Sequence, residues 1–241
     1  MGVNSYPEEM SLDTIEQALA GWRRSLLARF EVGGLYSRNP TAHKWKAPFR
    51  SLMLREVVFW RLHDLLTQSY TLHQQGHGLG ARILLRSGVE TLSILIYLNK
   101  LTEDVLNGIL PFHEFSKKTS SLLLGSRNGM TSLSSINIVT VLEKCDKLYP
   151  GLMAMYADLC ESAHPNYEGM CMGYSHIDYE EHVIEFSNHW TEMYDSRHLE
   201  SMRLCMMTFD EEYNQTWPKL FERLEAWIEK NDVELEATKP S

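Results

Sequence analysis

The stretch His77–Leu101, HGLGARILLRSGVETLSILIYLNKL, constrains this chain most. At about 100° per residue its apolar side chains cover roughly two thirds of a helix circumference. Ile83, Leu84, Leu85, Val89, Leu92, Ile94, Leu95, Ile96 and Leu98 fill that arc. Arg82, Arg86, Glu90, Ser93 and Tyr97 share the narrow remainder at spacings of four, four, three and four. A helix this apolar belongs at the centre of a bundle. Its polar stripe is either the one wet edge of a core helix or the wall of a cleft.

Around it the pattern is helical. Leu12, Ile15, Leu19, Trp22, Leu26 and Phe30 mark a first helix over residues 11–31, capped by Ser11 or Asp13 and closed by Gly33-Gly34. Residues 33–47 read as a loop. A second long helix runs from Pro48 to Gln75, with Phe49, Leu52, Met53, Phe59, Trp60, Leu66, Tyr70 and His73 on its buried side. Gly76, Gly78 and Gly80 then turn the chain into the central helix, so the two should be antiparallel neighbours. Thr102 with Glu103-Asp104 has the form of a new helix start, and Pro111 of a kink before helix to Leu124. Further helices are expected at 133–149, 152–163, 188–213 and 218–230. Residues 174–179 and 182–186 alternate as a short hairpin. The chain is therefore expected to be all-α: one domain over 1–230, a multi-helix bundle of seven or eight helices with one small β-hairpin, and a flexible tail over 231–241.

Composition narrows the classes. The longest apolar run, Leu92–Leu98, is too short to cross a bilayer, so no membrane association is expected. Met1–Met10 has no secretory pattern, and Cys145, Cys160, Cys171 and Cys205 form no CxxC pair, which suits reduced thiols in a cytoplasmic protein. Net charge is −9 but uneven: residues 1–130 carry +4 and residues 131–241 carry −13. The basic half could meet phosphates, or the halves could attract each other within the fold or across a dimer; with the wide apolar arc of the central helix, a homodimer is expected.

The sequence contains no phosphate-binding loop, nucleophile elbow, zincin helix or dinucleotide fingerprint. His77-Gly78-Leu79-Gly80 reads as a tight turn. Arg82 and Arg86, one and two turns into the central helix, could hold a phosphate or carboxylate with Glu90 as orienting partner; an ordinary Arg–Glu pair one turn apart has the same spacing. In Glu161-Ser-Ala-His164-Pro165-Asn166-Tyr167, the proline stops a helix just behind a histidine. His164 there suits either proton transfer or a helix cap, with Asn166 making the turn. His164, His176, His182, His189 and His198 are ligand types for zinc at spacings that match no closed site. No metal or cofactor is expected.

Two patterns resemble known proteins. Arg38-Asn-Pro-Thr-Ala-His43 has the Arg-x4-His spacing of the HEPN-superfamily ribonucleases, here in a Pro-containing loop. Those are helical bundles that cleave RNA without metal at a dimer interface. More broadly, GARILLRSGVETLSILIYL followed by AHPNY, within residues 78–168, resembles a group of bacterial HEPN-like helical proteins with an Arg-x3-Glu helix and a late His-Pro-Asn element. The group is associated with mobile and phage-defence gene neighbourhoods. The resemblance implies catalytic roles for Arg86, Glu90 and His164 and reaches Asn166 as a ligand contact; Arg82, on the same polar stripe, and Tyr167, beside Asn166, are further candidate ligand contacts from the residues alone. It suggests a metal-independent ribonuclease or toxin-type effector. The alternative it leaves open is a non-catalytic helical partner in a defence or toxin–antitoxin system.

Overall fold

A computed structural model describes residues 12–240, with side chains from Ile15 onward. The described residues form ten α-helices and one two-stranded hairpin and the structure is 75% helical, so the all-α class holds and the helix count is higher than expected. Ser11, one of the two expected caps, lies outside the described residues.

The central helix α5 spans Gly78–Leu106. It carries α4 (Lys46–Gln74), α6 (Phe112–Leu124), α7 (Ile138–Asp146), α8 (Leu152–Ala163), α9 (Trp190–Glu211) and α10 (Trp217–Ala237) around it. Leu85, Val89, Leu92, Leu95, Ile96 and Leu98 are wholly buried. A side chain of that size stabilises by about 1.5–3 kcal/mol when taken from water, so this column is the main store of stability. Gly76 takes φ +76° in the turn before α5, a conformation that costs glycine little. Farther along, Gly88 lets α4 approach: a Cβ there would lie 3.1 Å from Leu66 Cδ2.

Several boundaries differ from the sequence reading for identifiable reasons. α5 does not restart at Thr102. Thr102 is buried, and its hydroxyl donates to the Leu98 carbonyl one turn back (2.9 Å), so the helix continues with Leu101 and Val105 in the core. The first helix, α1, spans Leu12–Ser25 and stops short of Glu31. The expected loop at 33–47 instead contains α2 (Gly33–Arg38) and α3 (Pro40–His43), the latter capped by Asn39 Oδ1 accepting from Ala42 N, and α4 starts at Lys46. α7 begins only at Ile138, where Asn137 caps Val139 N. α9 and α10 are joined through a π-helical turn, Glu212–Thr216, rather than by a break. α10 passes Lys230 to Ala237, with Leu235 in the core, so most of the expected tail is helix. Strands β1 (Ser175–Asp178) and β2 (Val183–Phe186) pair antiparallel as anticipated, Ile177 opposite Ile184.

α4 and α9 meet through two stacked imidazoles. The rings of His73 and His198 lie 4.9 Å apart at 21°. His198 Nε2 sits 3.3 Å from Ser69 Oγ, and its Nδ1 is buried without a partner. Burial, with His73 and Arg82 nearby, pushes His198 down to about 3; burial also lowers His73, which Asp195 partly offsets. A histidine depressed in the fold takes up its proton on unfolding between about pH 6.5 and 3. Its contribution is therefore complete above about pH 6.5 and is lost as pH falls through that window. Urea unfolding of the wild type and His198→Phe from pH 7 to 4.5 should show the wild type losing about 1.4 kcal/mol per pH unit more than the variant. Parallel pH profiles would contradict this account of the pair.

Candidate functional site

The expected ligand contact Arg82 is spent inside the protein. It is 1% exposed. Its Nε donates to Ser162 Oγ (2.6 Å), and its Nη2 donates to the Asp158 carbonyl (3.2 Å) and carboxylate (2.8 Å). The guanidinium lies 3.7 Å from the centre of the Tyr194 ring. Asp158 also pairs with Arg197, and Ser162 donates to Glu168. One guanidinium thus ties α5 to α8 and α9, leaving only Nη1 buried without a partner.

Arg86 and Glu90 do meet, as their spacing implies, and both reach α8. Arg86 Nη2 lies 3.2 Å from Glu90 Oε1 and donates to Tyr156 Oη (2.9 Å); Tyr156 donates to Glu90 Oε1 (2.9 Å); Arg86 Nε donates to Cys160 Sγ (3.1 Å). Burial alone would make Arg86 less basic, but its bonds to Cys160 and Tyr156 outweigh that and hold the guanidinium charged. Burial pushes the Tyr156 phenol up to about 12. The cluster is half-buried rather than sealed, with the Arg86 and Glu90 side chains about a quarter exposed.

His164 does not join it. α8 runs antiparallel to α5, since Arg82 reaches Asp158 and Ser162 while Arg86, a turn later, reaches Tyr156 and Cys160. His164 follows Tyr156 by eight residues, about 12 Å of helix, in the direction away from Glu90. It is exposed, and its side chain makes no hydrogen bond among the described residues. Asn166 caps the π-helical turn Tyr167–Met172 through Gly169 N (2.8 Å) and donates to Glu161. Tyr167 is exposed.

The Arg-x4-His pair converges on one acid. Arg38 from α2 and His43 from α3 both bind the Glu225 carboxylate of α10. His43 and Glu225 are buried, so this imidazole docks α10 and faces no opening. Among the described residues, no three His, Cys, Asp or Glu side chains are arranged to hold a metal ion. None of the helices described is long and apolar enough to cross a membrane.

An open groove of about 1360 Å³ lies on the other side of Glu90, between the end of α1 and α4, α5 and α6. Arg23, Arg61, His63 and Arg127 bring cationic or titratable nitrogen to it; Asp64 and Glu90 bring carboxylates. Arg61 Nε donates to Thr91 Oγ1 (3.1 Å). The Trp60 ring is 47% exposed, its Nε1 donating to the Leu27 carbonyl (2.9 Å). Burial holds His63 below the ordinary imidazole range, against a hydrogen bond that the ring donates to the Leu19 backbone, which raises it. Sequence reading missed this wall. Phe49, Met53 and Trp60, expected on the buried side of α4, form with Val57 a half-exposed line at spacings of four, four and three, of which Val57 and Trp60 reach the groove. The signal was available: apolar residues cover more of α4 than one packed face needs.

Two variants separate the clamp from the cluster. Arg82→Met should cost about 3 kcal/mol, because it leaves buried polar partners behind. Arg86→Ala should cost about 1–2 kcal/mol. In double-mutant cycles, Arg86 with Glu90 should couple and Glu90 with His164 should not; a Glu90–His164 coupling above about 0.5 kcal/mol would contradict the placement of His164. Compared with family models, curated proteins and solved structures, the chain matches none, so the functional reading rests on its own geometry.

Proposed function

We propose that this chain is a HEPN-like helical protein that binds RNA in the α1–α4–α5–α6 groove and cleaves it without a metal ion. The observation that carries the reading is the groove lining: three arginines, a histidine and an exposed tryptophan against two carboxylates. Phosphate contacts depend on local charge, so a net charge of −9 does not oppose them. The exposed Trp60 ring offers a stacking face for a base.

In this reading His63, which burial holds below the ordinary imidazole range, takes the 2′-hydroxyl proton as that oxygen attacks the neighbouring phosphorus. The bond from phosphorus to the 5′ oxygen breaks, leaving a 2′,3′-cyclic phosphate, and the departing oxygen takes a proton from solvent. Arg61 offsets the charge that gathers on the phosphoryl oxygens. His63 thereby fills the role that the resemblance gave to His164. Glu90, fixed by Arg86 and Tyr156, shapes the wall. A toxin-type effector of bacterial phage defence, acting in the cytoplasm, is the setting the resemblance suggests.

One observation favours a second reading, a non-catalytic helical partner protein. The line Phe49, Met53, Val57, Trp60 is what a partner helix would cover, a second copy of the chain included.

A labelled single-stranded RNA of about 20 nucleotides, mixed with protein in EDTA, tests the choice. At about 50 mM salt we expect micromolar binding that weakens steeply with added salt. Arg61→Ala and Arg127→Ala should each weaken it, and His63→Ala should bind without cleaving. Absence of binding at tens of micromolar would end the RNA reading. Light scattering at twice the 27.9 kDa chain mass, lost in Val57→Glu, would then support the second.

A further inference from the structure

A second cavity, about 320 Å³, opens on the far end of α5, where α5 meets the end of α7 and the π-helical turn. Its inner wall holds the Glu212 carboxylate, which is 5% exposed. Glu212 accepts from Asn99 Nδ2 (2.6 Å) and from Tyr149 Oη (2.5 Å), and no Lys, Arg or His nitrogen lies within ion-pair reach among the described residues. A buried carboxylate without a cation is expensive. Asn99 is 3% exposed, and with Nδ2 committed to Glu212 its Oδ1 accepts nothing.

The rest of the lining sharpens the chemistry. Glu103 adds a second carboxylate. The lysine present, Lys100, is held by Asp104 one turn on. Leu148 and Leu220 supply an apolar wall. Burial raises the Glu212 carboxyl, and the charges of Glu211 and Glu103 push the same way, so the site gains from an incoming positive charge. Each carboxylate oxygen still has a free lone pair after its one hydrogen bond.

We propose that this cavity binds a small primary alkylammonium ion, its nitrogen on the Glu212 carboxylate and its chain against Leu148 and Leu220. The free lone pairs of the Glu212 carboxylate can take the ion's N–H donors, and the volume is at the lower end of ligand pockets, suited to a short chain. The site is separate from the RNA groove and does not rest on it.

The test uses the full chain and n-pentylammonium chloride, with pentan-1-ol, sodium pentanoate and sodium chloride as controls. Thermal melting and calorimetric titration should show saturable stabilisation by pentylammonium alone. Glu212→Gln should bind at least about tenfold more weakly. Leu148→Trp, a change at a half-exposed position that fills the cavity, should abolish binding with the far-ultraviolet spectrum unchanged; it carries the test if Glu212→Gln does not fold. A response no larger than sodium chloride gives would overturn the proposal. So would equal affinity in Leu148→Trp and wild type, or an equal response to pentan-1-ol.

Discussion

A helix packed on nearly every side cannot leave its polar side chains to water, and α5 is that helix. Arg82 is the severe case: a permanent charge, almost wholly enclosed, whose donors must all be met by protein. Asp158, Ser162 and the Tyr194 ring meet most of them. The orientation of α8 against α5 follows from that requirement, and the placement of Arg86, Tyr156 and His164 follows from the orientation. The arginine that a motif-based reading would assign to a ligand instead sets the geometry in which a ligand could be met.

The bundle also separates its charges usefully. The N-terminal half, slightly basic, brings Arg23, Arg61 and Arg127 to a shared groove. Much of the acidic half is turned to the opposite task. Glu225 and Asp232 of α10 take Arg38, His43 and Lys44 from the short helices and the turn before α4. The Coulomb attraction between halves is thus realised within one chain, as docking of the last helix onto the first third of the molecule.

Much of the architecture was legible because it depends on periodicity: α5, its antiparallel neighbour, α8 and the hairpin all announce themselves. What was not legible depends on partners far away in sequence. Thr102 followed by two acids has the form of a cap, and only burial reveals that its hydroxyl serves Leu98. α2 and α3 are too short to show a period. The Arg86–Glu90 contact could be read from spacing, but its closure through Tyr156 could not. His164 was misplaced because a proline-stopped helix end fixes where a side chain leaves the helix, not which way that helix runs. Arg38 and His43 had the right spacing for a reason the spacing does not contain, a glutamate more than 180 residues away.

The π-helical turn between α9 and α10 has a consequence for how this chain tolerates changes of length. Such a turn holds one residue more than an α-turn, so a carbonyl in it is met by the N–H five residues on. Here the Glu212 carbonyl accepts from Trp217 N and also from Asn99 Nδ2 (3.2 Å), which donates to the Glu212 carboxylate as well. Loss of a single residue between Glu211 and Trp217 could close the widened turn into regular helix, with the faces of α9 and α10 kept in phase. The fold would survive such a deletion, while the widened turn that offers the Glu212 carbonyl to both Trp217 N and Asn99 Nδ2 would narrow. The extra residue is surplus to the rod and necessary to the cavity, so this is one place where the chain's length serves its chemistry rather than its architecture.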